Sequence, residues 1–320
     1  MKALITGGAG FIGSHLTSAL LDRGAEVTAL DCFTDYYPRF VKEMNVAVNA
    51  GRRGYHFVDG SIQHADLPAL LDGKTHIFHL AAQAGVRRSW GTDFRIYTEH
   101  NVDATQRLLE ACVGRPLHRF VYASSSSVYG DNASIPMRET ALPQPVSPYG
   151  VTKLAAEQLC YLYFANYKLP TTSVRYFTVY GPRQRPDMAF HRFIKAALRG
   201  DALTLYGDGE QTRDFTFVTD AVAATVAAGN SGVPGRAYNV GGGSRVSVNQ
   251  LFEMIGRIHG APLNIRREPA QKGDMRDTFA DSTLARTDLG FAPAVTLEQG
   301  LEAEYRWLAA TPALLELAAI

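Results

Sequence analysis

The chain reads as an α/β protein: a Rossmann-type, doubly wound parallel sheet with a smaller C-terminal α/β lobe. Three observations predict this. Short apolar runs alternate with amphipathic stretches through the first half, which is the rhythm of βαβ units. The apolar runs are apolar throughout, as strands covered on both faces must be. The glycine-rich turn Thr6-Gly7-Gly8-Ala9-Gly10-Phe11-Ile12-Gly13 stands between the first run and the first amphipathic stretch.

In order, strands are expected at residues 2–6, 26–31, 55–59, 76–80, 119–124 and 172–176, each a short β-branched or aromatic run. Helical patterns fill the intervals, clearest at 11–23, 103–112 and 149–167. The character changes after Gly181. Residues 187–199 read as a helix, 203–207 and 214–218 as strand-like, and 220–228 as helical. Residues 237–240 are a candidate further strand of the first sheet. A Ser-Val-Asn start opens a helix at 246–259, and 297–308 is the last amphipathic helix. The expected division is a nucleotide-binding domain at 1–180, with a return segment near 214–245, and a substrate lobe at 181–320. Neither repeats nor low-complexity linkers interrupt it.

The 320 residues are 46% hydrophobic and 20% charged, ordinary for a globular protein. A net charge of +1 argues against general attraction to nucleic acid or acidic membranes. No apolar run approaches the roughly 20 residues of a membrane helix. Cys32, Cys112 and Cys160 are too few and too scattered for a disulfide framework or a zinc pattern. With Met1 leading directly into the first strand there is no room for a signal peptide, so a cytoplasmic location is expected. His76 and His79 have no carboxylate or cysteine cluster with them, and no metal site is expected.

The glycine turn is where chemistry begins. Gly7 suits the tight turn, Gly10 lets a pyrophosphate approach the backbone, and Gly13 lets helix and strand pack closely. Phe11 and Ile12 open the helix, whose free N–H groups favour phosphate. The second strand ends on Asp31, about 20 residues further on, where a carboxylate accepts the adenosine ribose hydroxyls. That carboxylate repels a 2′-phosphate, and Cys32 and Phe33 bring no arginine, so NAD is expected over NADP. Ser61 and Ile62 are candidate adenine neighbours. Leu80, Ala81 and Ala82 are small enough to let the cofactor pass.

Tyr149 and Lys153 are four apart at the start of a helix and share a face. A phenol is a poor base at its free pKa of about 10. A nearby ammonium and a cationic nicotinamide favour the phenolate. The strand end Val121–Gly130, with Ser124-Ser125-Ser126-Ser127, offers hydroxyls at the sheet edge where α/β ligands bind.

These segments, with His79-Leu80-Ala81-Ala82, resemble the extended short-chain dehydrogenase/reductases that act on nucleotide sugars. The resemblance continues through Arg175–Gly181, Gly207-Asp208-Gly209, Arg213-Asp214-Phe215 and Gly273-Asp274. It implies Ser125 as the catalytic hydroxyl and Tyr149 as the base. Lys153 would hold the nicotinamide ribose and lower the tyrosine pKa, Tyr176 would line the nicotinamide, and Asn101 would support the relay region. Ser61 departs from the acidic or amide residue of many relatives. An intersubunit bundle of helices 103–112 and 149–167, hence a homodimer, is also implied.

In such enzymes NAD first removes hydride from C4 of the sugar. Dehydratases of the family carry an acidic pair after the catalytic hydroxyl, and glucuronate decarboxylases usually a Glu. Here only Ser126 and Ser127 follow, so the keto-sugar is expected to turn over and take the hydride back on its other face: 4-epimerisation.

Arg183–Phe190, Gln83–Arg87 and Asp35-Tyr36-Tyr37 resemble UDP-glucuronate 4-epimerases more than UDP-glucose ones, and Thr178 replaces the Asn typical of the latter. A 4-keto uronate is a β-keto acid, so its carboxylate must be held out of the alignment that releases carbon dioxide. Arg185 is the expected clamp, helped by Thr178, Ser126 and Ser127; the competing reading pairs Arg185 with Asp187. For the UDP portion of the substrate the candidates are Arg192, Arg213, Arg276 and Gln211, with Thr204 and Tyr206 beside the uracil and Arg87 at sugar or phosphate. UDP-glucose 4-epimerase, a decarboxylase, and an NAD-binding redox sensor without turnover are the alternatives.

Overall fold

The computed structural model describes residues 1–131, 134–269 and 275–318. Gly273 and Asp274, part of the motif series above, lie outside the described residues.

Seven parallel strands form the central sheet: β1 (Lys2–Thr6), β2 (Glu26–Asp31), β3 (Tyr55–Asp59), β4 (His76–His79), β5 (Arg119–Ser125), β6 (Thr171–Tyr176) and β10 (Ala237–Val240). Their spatial order is β10-β6-β5-β4-β1-β2-β3. Because all run the same way, Thr6, Asp31, His79, Ser125 and Tyr176 end on one edge of the sheet. Order reverses beside β1, between β4 and β2, and there a crevice must open.

Helices cover both faces. One face buries Leu16 and Leu20 of α1 (Phe11–Asp22) against Ala221, Val222 and Ala228 of α8 (Val218–Ser231) and against the sheet. The other buries Leu108 and Leu109 of α5 (Ala104–Cys112) against Ala156 and Cys160 of α6 (Pro148–Tyr167). The remaining helices of this lobe are α2 (Arg39–Ala47), α3 (Leu67–Leu71) and α4 (Phe94–Tyr97), the last running through a widened π-type turn at Thr98–Asp103 into α5. Local chemistry sets the start of α6: Ser147 accepts from the Gly150 N–H at 3.1 Å and Pro148 occupies the first turn.

The second lobe contains β7 (Val179–Tyr180), α7 (Ala189–Arg199), β8 (Leu203–Tyr206), β9 (Thr212–Phe217), β11 (Ser244–Ser247), α9 (Val248–His259), β12 (Ile265–Glu268), α10 (Thr283–Leu289), α11 (Leu297–Ala309) and α12 (Pro312–Leu315). Capping boxes at Ser247/Gln250 and Thr296/Gln299 start α9 and α11. The expected helix over 246–259 therefore begins two residues late: Val246 and Ser247 belong to β11, which pairs antiparallel with β9. The chain returns to the first sheet through α8 and β10, the latter hydrogen-bonded beside β6.

Among the described residues no helix is long and apolar enough to cross a membrane.

Candidate active site

A cleft of about 1150 Å³, open to solvent, follows the strand ends. Gly7, Gly10, Phe11, Ile12, Gly13, Asp31, Ser61, Ile62, Leu80, Ala81, Ala82, Tyr149, Lys153 and Tyr176 all line it, so the predicted cofactor set converges from five strand ends and the start of α6. Asn101 is the exception. Its amide is spent inside the protein, donating to Gln83 O and Thr152 Oγ1 at 3.0 Å and accepting from Gln83 N at 2.7 Å. It braces the loop after β4 against α6.

The glycine turn is packed too tightly for side chains. A Cβ on Gly13 would stand 2.1 Å from Gly7 O, and one on Gly7, at φ +75°, 2.7 Å from Ala81 N. Gly8 has a role the sequence motif does not assign: a Cβ there would meet the Ala29 methyl of β2 at 2.6 Å. Asp31 accepts from Ala9 N at 3.1 Å and Phe33 N at 2.9 Å, which aims its carboxylate along the turn. The buried Ser61 hydroxyl has no protein partner and lines the cleft, as a group waiting for a nucleotide should. An adenosine diphosphate thus fits: carboxylate for the ribose, helix N-terminus for phosphate, orphan hydroxyl toward the base.

Lys42 was not legible in the sequence. Its ammonium lies 3.7 Å from Asp31 and donates to Thr34 O and Oγ1. It sits one turn into α2 among residues that look like any amphipathic helix, and only the fold brings it to the cleft.

At the other end, β5 delivers Ser125 and α6 delivers Tyr149, whose phenol is hydrogen-bonded to the Ser125 hydroxyl. Ser125 Oγ also accepts from Ser127 N at 3.1 Å. Gly150 allows this approach, since a Cβ would meet Ser127 O at 2.5 Å. The Tyr97 ring stands edge-on to Tyr149, with centroids 6.3 Å apart. Lys153 donates to Ala123 O at 2.9 Å and lies over the Tyr122 ring. Burial pulls the Lys153 ammonium down to about 7. The Tyr149 phenol is raised above its usual value by burial, and the cation that draws it back is Arg185, aided by Ser125. This differs from the expected role of Lys153, whose ammonium is turned to a carbonyl and is itself poorly solvated.

Arg185 joins the two readings of the sequence. It lines the cleft with Tyr149 and Lys153, and it also pairs with Asp187 through Nε and Nη2, both at 3.0 Å. Asp31, at the adenosine end, is the only carboxylate lining the cleft among the described residues. Among the described residues, none that lines the cleft beside Tyr149 is acidic.

Ser126 and Ser127 are half-buried in the turn after β5, and Thr178 is half-buried between β6 and β7. Most of the other predicted substrate residues form a group on the second lobe, which Arg87 of the first lobe reaches. The Arg87 guanidinium covers the Tyr206 ring at 4.8 Å, and Gln211 donates to Tyr206 O at 3.0 Å. Arg213 donates to the backbone of Arg276 at 2.9 Å. Arg276 is exposed and paired with Asp208 at 3.3 Å. Thr204 shares a strand face with Tyr206, opposite the buried Leu203 and Leu205. Arg192 is half-buried on α7.

Beneath the site, Ser124 Oγ donates to Glu157 Oε2 at 2.6 Å, and Glu157 holds Arg175 through three contacts of 2.5–3.2 Å. Glu157 stands one turn beyond Lys153 on α6, a spacing that would have pointed to it. Among the described residues no group of three or more His, Cys, Asp or Glu is arranged to hold a metal ion.

The sequence model of the NAD dependent epimerase/dehydratase family matches residues 3–241. A crystal structure of UDP-glucuronic acid 4-epimerase from Bacillus cereus, in complex with UDP-glucuronic acid and NAD, superposes with a TM-score of 0.94 at 43% identity, covering 97% of this chain and 99% of that one. An uncharacterized UDP-glucose epimerase of Bacillus subtilis is 44% identical over 96% of this chain and 98% of its own length. A probable UDP-glucuronate 4-epimerase of Rhizobium meliloti is 34% identical, with 96% of each chain covered.

Proposed function

Because the chain belongs to the NAD dependent epimerase/dehydratase family, we propose that it is an isomerase interconverting UDP-glucuronate and UDP-galacturonate by NAD-dependent epimerisation at C4. The observation that carries this reading is Arg185: a guanidinium lining the same cleft as Tyr149 and Lys153, where a sugar carboxylate would lie.

Bound NAD supplies the oxidant and then the reductant for C4, so the reaction has no net redox change. Tyr149 takes the proton of the C4 hydroxyl and later returns it, and Ser125 shares that proton through its hydrogen bond to the phenol. Lys153 holds the nicotinamide ribose. Tyr176 lines the nicotinamide, and Asn101 supports the relay by bracing the Gln83 loop. Gly7, Gly10, Phe11, Ile12, Gly13, Asp31, Ser61, Ile62 and Leu80–Ala82 hold the rest of the cofactor. Arg185, with Thr178, Ser126 and Ser127, keeps the carboxylate of the β-keto acid from standing perpendicular to the ketone. The absence of a carboxylate on the cleft walls near Ser125 supports return of the hydride over elimination of water.

Residues 1–180 with the return segment near 214–245 form the NAD lobe, and residues 181–320 the UDP-sugar lobe. Arg87, Thr204, Tyr206, Gln211, Arg213 and Arg276 take the uridine diphosphate, with Arg192 nearby. A homodimer forms through α5 and α6, the latter leaving Val151 and Leu162 exposed. The enzyme works in the cytoplasm.

A second reading, UDP-glucose 4-epimerisation, follows the name of the Bacillus subtilis relative. Incubation with UDP-glucuronate and, separately, UDP-glucose, with products resolved by NMR, separates the two. UDP-galacturonate is the expected product. A UDP-pentose as main product, or turnover of UDP-glucose alone, sinks the proposal.

A further inference from the structure

The turn that carries Arg185 contains its own counter-ion. Asp187 accepts from Arg185 Nε through one oxygen and from Nη2 through the other, a fork-to-fork pair with two bonds of 3.0 Å. Both side chains are mostly buried, at 23% and 15% exposure. The arrangement is held from a second loop, because the Tyr36 hydroxyl donates to Asp187 Oδ2 at 3.3 Å. Tyr36 is fixed in turn by Gly85, where a Cβ would come within 2.0 Å of the tyrosine oxygen. Burial pushes the Asp187 carboxyl up, and the Arg185 charge overrides it, leaving the carboxyl below its ordinary range. Asp187 is therefore ionised and cancels most of the charge that Arg185 shows to the cleft.

A clamp for a carboxylated substrate would bind best with its charge unopposed, so a built-in counter-ion needs a reason. We propose that Asp187 is a positioning residue that weakens the hold of Arg185 on the sugar carboxylate, so that the keto-sugar can rotate between the two hydride transfers. This rests on the reading of the substrate as UDP-glucuronate.

For hydrogen to return to the opposite face of C4, the ring must turn about its link to the diphosphate while the diphosphate stays held. The carboxylate on the neighbouring C5 moves with the ring, so its contact with Arg185 must be broken in every turnover. An unpaired guanidinium at this depth would grip the carboxylate by full charge as well as by hydrogen bonds. With Asp187 on the Nε/Nη2 edge, the carboxylate meets the remaining Nη1/Nη2 edge of an already neutral pair. No described residue occupies Nη1, so the directional bonds that keep the carboxylate out of the decarboxylating alignment survive. The charge that would trap it is removed.

The test compares Asp187→Asn and Asp187→Glu with the parent, all loaded with NAD. Calorimetry reads the Kd of UDP-glucuronate and of UDP-glucose, and NMR reads kcat. Asp187→Asn keeps the shape and removes the charge. It should bind UDP-glucuronate about tenfold more tightly, lose kcat by a similar factor, and leave UDP-glucose affinity unchanged. Asp187→Glu restores the charge and should move both quantities back toward the parent. The proposal is overturned if the Asn variant binds UDP-glucuronate no more tightly than the parent. Equal weakening of both sugars, or a Glu variant that behaves like Asn, overturns it too. A parent protein that leaves UDP-glucuronate unconverted defeats the substrate reading, and this inference with it. A converting parent with an Asn variant of unchanged affinity defeats this inference alone.

Discussion

Glu304, on α11, accepts the backbone N–H of Gly181 at 2.7 Å across 123 positions of sequence. Glu304 is fully buried and its other carboxyl oxygen has no partner. Burial pushes its carboxyl well above the usual range, against the opposing pull of the Gly181 N–H. Gly181, at φ +134°, opens the turn that carries Arg185. The last long helix thus fixes where the clamp begins.

From this contact we expect Glu304→Gln to fold and turn over much as the parent, because the amide oxygen still accepts the Gly181 N–H. Glu304→Leu orphans that N–H and should lose about 1–3 kcal/mol of stability. It should also raise KM for UDP-glucuronate while leaving the Kd of NAD unchanged. Urea unfolding and cofactor titration check the two halves.

Tyr149→Phe removes the group that carries the C4 proton. kcat should fall by about 10²–10⁴ with the Kd of NAD nearly unchanged, since the ring keeps its place beside Tyr97 and only the bond to Ser125 is lost. A variant retaining most of its kcat would move the base elsewhere.

Arg185→Ala should abolish most UDP-glucuronate turnover and disturb NAD binding little. It should also shift the pH profile. Arg185 is the cation that pulls the Tyr149 phenol down against burial, so its loss raises that pKa. The rising limb of kcat should then move to higher pH, and a shift to lower pH would contradict the electrostatic assignment.

Gly13→Ala places a methyl 2.1 Å from Gly7 O. The turn must open to accept it, and we expect NAD affinity to drop while the protein remains folded at a cost of about 1–3 kcal/mol. Cofactor titration and thermal unfolding measure both.

His79 is completely buried between two hydroxyls, with Thr6 at 2.7 Å from Nδ1 and Thr105 at 2.9 Å from Nε2. Thr105 donates onward to Asn101 O at 2.6 Å, so Nε2 carries the proton and Nδ1 accepts from Thr6. Burial, reinforced by the Lys153 charge, brings its pKa to about 3 from 6.5. The unfolded chain therefore takes up a proton below 6.5 that the folded chain refuses until about 3. Stability must fall as pH drops through that window, with a limiting slope of about 1.4 kcal/mol per pH unit. His79→Gln lacks this slope, so its deficit against the parent in urea unfolding should shrink on going from neutral pH to about pH 5.

The cofactor half of the site was readable from residues alone because its signals are local. The Gly7–Gly13 turn, Asp31 at the end of β2 and Tyr149/Lys153 one helical turn apart lie in short segments, and parallel strands carry their ends to a common edge. Even here Lys42 and the Gly8–Ala29 contact escaped, since each needs a neighbour from another segment. α2 and α3 were also missed: nine and five residues are too few for a helical period to stand out from the surrounding chain. At 246–259 a strand ran unmarked into a helix, because Val246 and Ser247 suit both.

By itself, then, the sequence determined the class of fold, the dinucleotide turn and the pairing of a tyrosine with a lysine, all written within a few residues of chain. Tertiary structure decided how those groups are tuned. It set Arg185 against Asp187, brought Tyr36 to that pair from the loop after β2, laid Arg87 over Tyr206 and pinned Gly181 to Glu304. Apart from the Arg185–Asp187 pair, these contacts join residues far apart in the chain. Hydrophobic period and turn chemistry act over a few residues, whereas the charge on a buried guanidinium depends on whatever the fold packs against it.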